Sequence, residues 1–303
     1  MKKLKLALDW TPNTNHIGFL IAKELGFYNQ QGIDLEILNP KDDNYALTPG
    51  KKLELNIVDF AMAPFETVIS LNNKANHVQA IAIYAILQED LSSIVSLKSS
   101  NITSPKFLDG KIYASYKARY EDHIVKEMIK NDGGEGNLKI VYPDKLGIWN
   151  TLLKGQADAT WIFDNWEGIE ANYKNVELNI FSLDDFKIPY GYSPIILAKS
   201  GNLIKHKALY SRFITATRRG FLFAQNNLKE SITILQRYLT PYDLEHIDIE
   251  KSIAYTIPYF GDEFTCGKMK QEKILRFLKW LVDKGLEDKI ILEQHLFTNE
   301  LLD

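Results

Sequence analysis

Short apolar runs with strand spacing take turns with amphipathic helical stripes along this chain, and that alternation constrains the fold more than any other feature. Residues 3–8 read as a strand. Ile17, Leu20, Ile21 and Leu25 then recur at helical spacing, with Gly26 where a C-terminal cap belongs. Residues 33–38 alternate apolar and polar, and 58–63 and 80–87 read as buried strands. Extended segments are predicted at 94–97, 112–115, 138–141, 159–163 and 193–198. Helices are predicted at 120–131, 148–154, 166–173, 207–224, 228–239 and 269–284. No internal repeat or low-complexity segment interrupts the pattern.

The class is therefore α/β. The simplest division puts residues 1–90 and 195–303 in one lobe and 91–194 in the other. The chain crosses between them twice, near 88–96 and 190–195, which predicts a hinge and a ligand cleft between the lobes. Loops at the carboxyl ends of the strands would line that cleft.

Composition removes several functions. Net charge is −3 with no strongly basic half, which gives nucleic acid little support. A single cysteine, Cys266, excludes an intramolecular disulfide and an all-cysteine metal cluster. The histidines at 16, 77, 123, 206, 246 and 295 lack close metal-ligand spacing, so no metal is expected. No run approaches the ~18 apolar residues of a membrane span. Lys5 and Asp9 interrupt any secretory apolar core near the start. The expected location is cytoplasmic if Met1 is the native start, and periplasmic or cell-surface if a signal was removed. There is no Gly-x-Ser-x-Gly elbow, His-Glu-x-x-His or Walker loop, and no catalytic residue is assigned.

Candidate ligand residues cluster at strand ends. Asp9, Trp10, Asn13 and His16 supply a carboxylate, an indole, an amide and an imidazole between a strand and a helix. Capping accounts for at least one polar residue here, but not for an indole, and Trp10 and Asn13 are assigned to ligand contact. The run Trp161-Ile162-Phe163-Asp164-Asn165-Trp166 lies at a second strand end. Aromatic faces sandwich flat rings, and a carboxylate holds ring amino groups. Asp164 is either a helix cap or a ligand contact, Trp166 core or ligand wall; both are assigned to the ligand, and Trp161 to the core. Phe65 and Glu66 follow a Pro64 turn, and Tyr190-Gly191-Tyr192 sits at the second crossover as hinge, ligand wall or both. Tyr116, Ser115, Lys117 and Arg119 precede a helix that starts with Glu121 and Asp122. Ser115, Lys117 and Arg119 form a possible anion site, but the loop has no glycine, Glu121 and Asp122 already complement the helix dipole, and a solvated surface loop is the favoured reading.

The segment Leu8-Asp9-Trp10-Thr11-Pro12-Asn13-Thr14-Asn15-His16 with Gly18 resembles the opening of the formylaminopyrimidine-binding proteins of bacterial thiamine-precursor importers. The likeness continues at Ala22-Lys23-Glu24, Gly26-Phe27-Tyr28, Gly32-Ile33-Asp34, Asp132-Gly133-Gly134, Gly168-Ile169-Glu170-Ala171 and Phe297-Thr298-Asn299-Glu300-Leu301. It implies a two-lobed type II periplasmic-binding-protein-like fold, an aminopyrimidine ligand and an ABC importer permease as partner. Trp10, Tyr116, Trp166 and Tyr192 would enclose the ring; Asn13, Glu66 and Asp164 would bond its nitrogens.

The wider family resembles the fungal thiamine-pyrimidine synthases, which make hydroxymethylpyrimidine phosphate from pyridoxal phosphate and a histidine of their own chain. Their lysine and donor histidine follow the strand matching 58–62; this chain has Ala63 and Thr67 there. Their cysteine-rich run is replaced by Tyr190-Gly191-Tyr192-Ser193, and their glycine-rich phosphate loop by residues 115–119. Their site glutamate corresponds to Asp164. Without the lysine no Schiff base forms at that position. The expectation is a binder without cofactor, pyridoxal phosphate entering only under the synthase alternative. A receptor for another small solute, such as a sulfonate, is a third possibility on the same fold.

Overall fold

The computed structural model describes residues 1–74 and 78–302. His77 lies outside them. The chain divides into two compact units, Met1–Asp90 with Gly191–Glu245 and Ile249–Asp303, and Leu91–Tyr190 with His246–Asp248. The return to the first unit comes at Gly191 rather than at 195, because the segment that follows is tied into that unit. Tyr192 O accepts from Phe65 N at 2.9 Å, and a Cβ on Gly191 would sit 3.2 Å from the Phe277 ring. His246–Asp248, expected in the first lobe, carry the buried Ile247 and group with the second unit.

The strands are β1 (Lys2–Ala7), β2 (Ile33–Leu38), β3 (Phe60–Ala63), β4 (Ala80–Ala85), β5 (Ser92–Leu97), β6 (Ile112–Ala114), β7 (Lys139–Val141), β8 (Ala159–Phe163), β9 (Leu178–Ser182) and β10 (Ile195–Lys199). The first unit's sheet has the order β2-β1-β3-β10-β4. β1 is parallel to β2 and β3, while β10 runs antiparallel to β3 and β4. The second has the order β7-β6-β8-β5-β9, with β6 parallel to β7 and β8 and β5 antiparallel to β8 and β9. Both sheets therefore share one plan. Three parallel strands are followed by one antiparallel strand taken from elsewhere in the order, then by an edge strand.

β9 is absent from the sequence-based expectation. It is an edge strand with Ile180 exposed, so its burial does not follow a two-residue alternation. Its backbone pairs with β5 alone.

In the first unit the helix Ile17–Glu24 crosses the long helix Lys207–Asn226 where Gly18 faces Gly220. The close approach lets Phe221 reach Phe19, Phe260 and Tyr84, with ring centroids 5.3, 4.9 and 5.9 Å away. Gly26 adopts a left-handed φ of 71° after the first helix, as its capping position requires. Among the described residues no helix is long and apolar enough to cross a membrane.

Candidate functional site

The loop after β1 is held by its own side chains. His16 is fully buried; its Nε2 lies 2.8 Å from Asp9 Oδ1, and its Nδ1 accepts from Asn13 N at 3.0 Å. Because Nδ1 is an acceptor, the ring proton sits on Nε2 and is donated to Asp9. Asn13 Oδ1 accepts from Asn15 N at 2.9 Å and caps the short helical turn Thr14–His16. His16 is therefore a positioning residue rather than the ligand contact expected of it, since both ring nitrogens are spent within the loop, whereas Asn13 commits its amide oxygen to the cap. Asp9 is half-buried, and Tyr45 donates to its backbone oxygen at 2.5 Å. The Tyr45 ring lies 6.1 Å from Trp10 at a tilt of 57°. Sequence reasoning missed Tyr45. Its left-handed backbone (φ 59°) in a polar stretch carries no hydrophobic pattern. Burial and the charges of Asp9 and Asp43 raise its phenol pKa.

Phe65 and Tyr192 are each 1% exposed. Both rings, expected in the ligand wall, are covered by the protein itself in this structure. Tyr192 Oη accepts from Lys270 N at 2.9 Å, and Lys273 Nζ lies 4.6 Å from its ring centroid. Glu66 is buried at the start of the helix Glu66–Asn72, which excludes an exposed surface role.

In the second unit Asp164 follows β8. The register pairs Ser93 with Ile162, and the two-residue period brings Ser93, Ile162 and Asp164 onto one face. Ser93 Oγ donates to Asp164 Oδ2 at 2.9 Å, and Asp164 N donates to Leu91 O at 2.8 Å. Asp164 Oδ1 is buried without a hydrogen-bond partner among the described residues. Burial pushes the carboxyl pKa up to about 6, against a smaller lowering by Ser93. The helix Glu167–Tyr173 starts behind Trp166 without a side-chain cap. Asp164 is thus not a cap, and none of the described residues uses its second oxygen.

The two tryptophans differ in exposure from what their assignments imply. Trp166 is buried, at 4% exposure. Trp161 is only half-buried, on the strand face opposite Ile162, and meets Tyr190 edge-on with centroids 5.3 Å apart. Alternation along β8 decides this: Ile162 points to the core, so its neighbours Trp161 and Phe163 do not.

The loop 115–119 already contains an anion. Glu121 accepts from Tyr113 Oη at 2.8 Å, Tyr116 N at 3.0 Å and Ala118 N at 3.1 Å. Ser115 Oγ donates to Asp122 at 2.7 Å and accepts from Lys117 N at 3.0 Å. Lys117 Nζ lies over the Tyr142 ring and Arg119 over that of Tyr120, each 5.3 Å from the centroid. The expected anion site at Ser115, Lys117 and Arg119 is corrected accordingly, since the chain's own carboxylate holds the amides a phosphate would need. Tyr116 packs against the cluster of Ala114, Ile148 and Ala157. Burial raises the Glu121 pKa, although three donors favour its ionised form. Glu121→Gln turns an amide nitrogen toward a donor and is expected to destabilise the protein by about 1–3 kcal/mol in urea unfolding. An unchanged midpoint would show that these bonds contribute nothing.

Among the described residues no group of three or more His, Cys, Asp or Glu could hold a metal ion. A family model described as NMT1/THI5 like matches residues 13–231, well over half of the chain. The chain belongs to the NMT1/THI5-like family. A Haemophilus influenzae relative named for thiamine biosynthesis is 26% identical over 291 residues, covering 96% of this chain and 90% of the relative. The 4-amino-5-hydroxymethyl-2-methylpyrimidine phosphate synthase of Legionella pneumophila is 23% identical, with 99% of this chain and 92% of the synthase covered. The formylaminopyrimidine-binding protein of Halalkalibacterium halodurans is 20% identical over 78% of this chain and 70% of its own length. The fold of this NMT1/THI5-like chain is that of the periplasmic binding proteins. The nitrate-binding protein NrtA of Synechocystis PCC 6803 superposes with a TM-score of 0.75 at 10% identity, over 99% of this chain and 86% of NrtA.

Proposed function

We propose that this chain binds a small aminopyrimidine of the thiamine-precursor type, with Asp164 accepting from the ligand's amino group. The observation that carries this reading is the buried, unpartnered Asp164 Oδ1 on a carboxyl whose pKa is pushed up to about 6. Leaving a carboxylate oxygen buried and unbonded costs about 1–3 kcal/mol or more. A ligand N–H that reaches it recovers that energy, and strongly perturbed carboxyls cluster at functional sites for this reason. The edge-on pair of Trp161 and Tyr190 supplies aromatic surface in the same unit. The names of two relatives, a pyrimidine-binding protein and a pyrimidine phosphate synthase, support the same class of ligand. An importer permease is the partner this reading implies.

The residues do not fit pyridoxal phosphate where the synthase resemblance would hold it. Ala63 offers a methyl group at the lysine position, and it is buried. Glu121 holds the loop amides that a cofactor phosphate would take. Binding is the reading these positions support.

Titration of the purified protein with formylaminopyrimidine and hydroxymethylpyrimidine at pH 8 should give saturable heat and a tryptophan fluorescence change. Neither signal at high micromolar ligand would sink the proposal. A borohydride-trapped pyridoxal phosphate adduct would favour the synthase instead.

A further inference from the structure

A groove of about 270 Å³ lies in the first unit along one face of the helix Lys207–Asn226, closed by Leu301 and Leu302. It falls just under the range of about 300–1,000 Å³ that holds drug-sized ligands. Ile214, Arg218 and Leu222 recur on that face at helical spacing, and the lining adds Arg219 and the hydroxyls of Ser211 and Thr215 to the apolar walls. Arg218 is half-buried, and its Nε is covered without an acceptor among the described residues. No described carboxylate pairs with it.

The interior provides no counter-charge either. Tyr84 Oη and Cys266 Sγ lie 3.0 Å apart in the core. Burial pushes the Cys266 thiol up to about 11 and raises the Tyr84 phenol, so both stay protonated. The neighbouring Arg219 is already engaged. It donates to Gln30 Oε1 at 2.6 Å and stacks 3.7 Å from the Phe27 centroid. The groove's hydroxyls are spent as donors too, Thr215 Oγ1 to Ser211 O at 2.9 Å and Ser211 Oγ to Leu301 O at 3.4 Å. A guanidinium with no acceptor for its Nε among the described residues, set between apolar walls, matches a single negative charge on a short apolar body. A dianion would need a second cation.

We propose that this groove is a binding site for a short-chain carboxylate, with Arg218 as its counter-ion and the leucine and isoleucine side chains around its tail. The groove's lining belongs to the first unit and Asp164 to the second.

The probes are hexanoate and its uncharged counterpart hexanol, measured calorimetrically on the full chain. Hexanoate should bind in the millimolar range or tighter, and hexanol at least about tenfold more weakly. Arg218→Gln should lower hexanoate affinity at least about tenfold and leave hydroxymethylpyrimidine binding unchanged. If that variant does not fold, the Arg218 Nε–H signal of the wild type, followed by NMR, should shift with hexanoate and not with hexanol. Equal binding of the two probes, no hexanoate binding at all, or an unmoved Nε signal would each overturn the assignment. Loss of pyrimidine binding in folded Arg218→Gln would do so as well.

Discussion

At pH 8, Asp164→Asn is expected to lose about 10- to 100-fold in aminopyrimidine affinity while making the free protein more stable. The two effects share one cause. In the free protein Asp164 carries a charge that burial opposes, with its pKa moved from 3.8 to about 6 and one oxygen unbonded. A shift of about 2 units corresponds to about 3 kcal/mol of unfavourable ionisation. The folded state holds its proton to higher pH than the unfolded chain does, so this contribution lowers stability as pH rises from about 4 to about 6. Asparagine removes the charge but leaves an amide N–H to satisfy, which takes back about 1–2 kcal/mol. The net gain should be about 1–2 kcal/mol at pH 8 and turn into a loss of about 1–2 kcal/mol below pH 4, where only the amide penalty remains. Ligand N–H groups prefer the ionised carboxylate, so wild-type affinity should fall below about pH 6 and the variant's should not. Calorimetric titration and urea unfolding across pH 4–8 measure both. Unaltered affinity in Asp164→Asn would remove this residue from the site.

Gly220→Ala should destabilise the first unit by about 3 kcal/mol or more, a large part of the about 5–15 kcal/mol that holds a typical domain. Helix propensity alone points the other way, since alanine gains about 1 kcal/mol over glycine in a helix interior. The crossing decides the sign. A Cβ on Gly220 would lie 1.9 Å from Gly18 O and 3.1 Å from Ala22 Cβ. Backbone cannot step aside as the end of a side chain does, so the helices must separate. Separation would strip Phe221 from Phe19, Phe260 and Tyr84. A denaturation midpoint within about 0.5 kcal/mol of wild type would show that the crossing tolerates a methyl group.

Most of the elements were legible because their signals are local. The stripe of Ile17, Leu20 and Ile21 with Gly26 behind it gave the first helix, and the alternation from Ile33 to Leu38 gave β2. β9 escaped because an edge strand needs no regular burial pattern. Asp164 was picked out at a strand end, but its value as a site comes from Ser93 and from the oxygen left over, and Ser93 is 71 residues away. Asn13, His16, Phe65 and Tyr192 had the right chemistry in the right segments. Neighbours take both ring nitrogens of His16 and the amide oxygen of Asn13, and cover Phe65 and Tyr192. Which partner consumes a polar group is a question of distance in space.

The order of residues determined the α/β class by itself, along with the family likeness, because each rests on residue identity at short spacing, and a single cysteine excluded an intramolecular disulfide. Tertiary structure alone decided that two segments without sequence repetition build sheets of one plan, each borrowing an antiparallel strand from elsewhere in the chain. It also decided that Trp161 stays half-open while Trp166 is covered, and that Glu121 takes two amides of the loop 115–119. Strand register and the competition for hydrogen-bond donors are settled only when distant segments meet. No window of sequence contains both partners of such a contest.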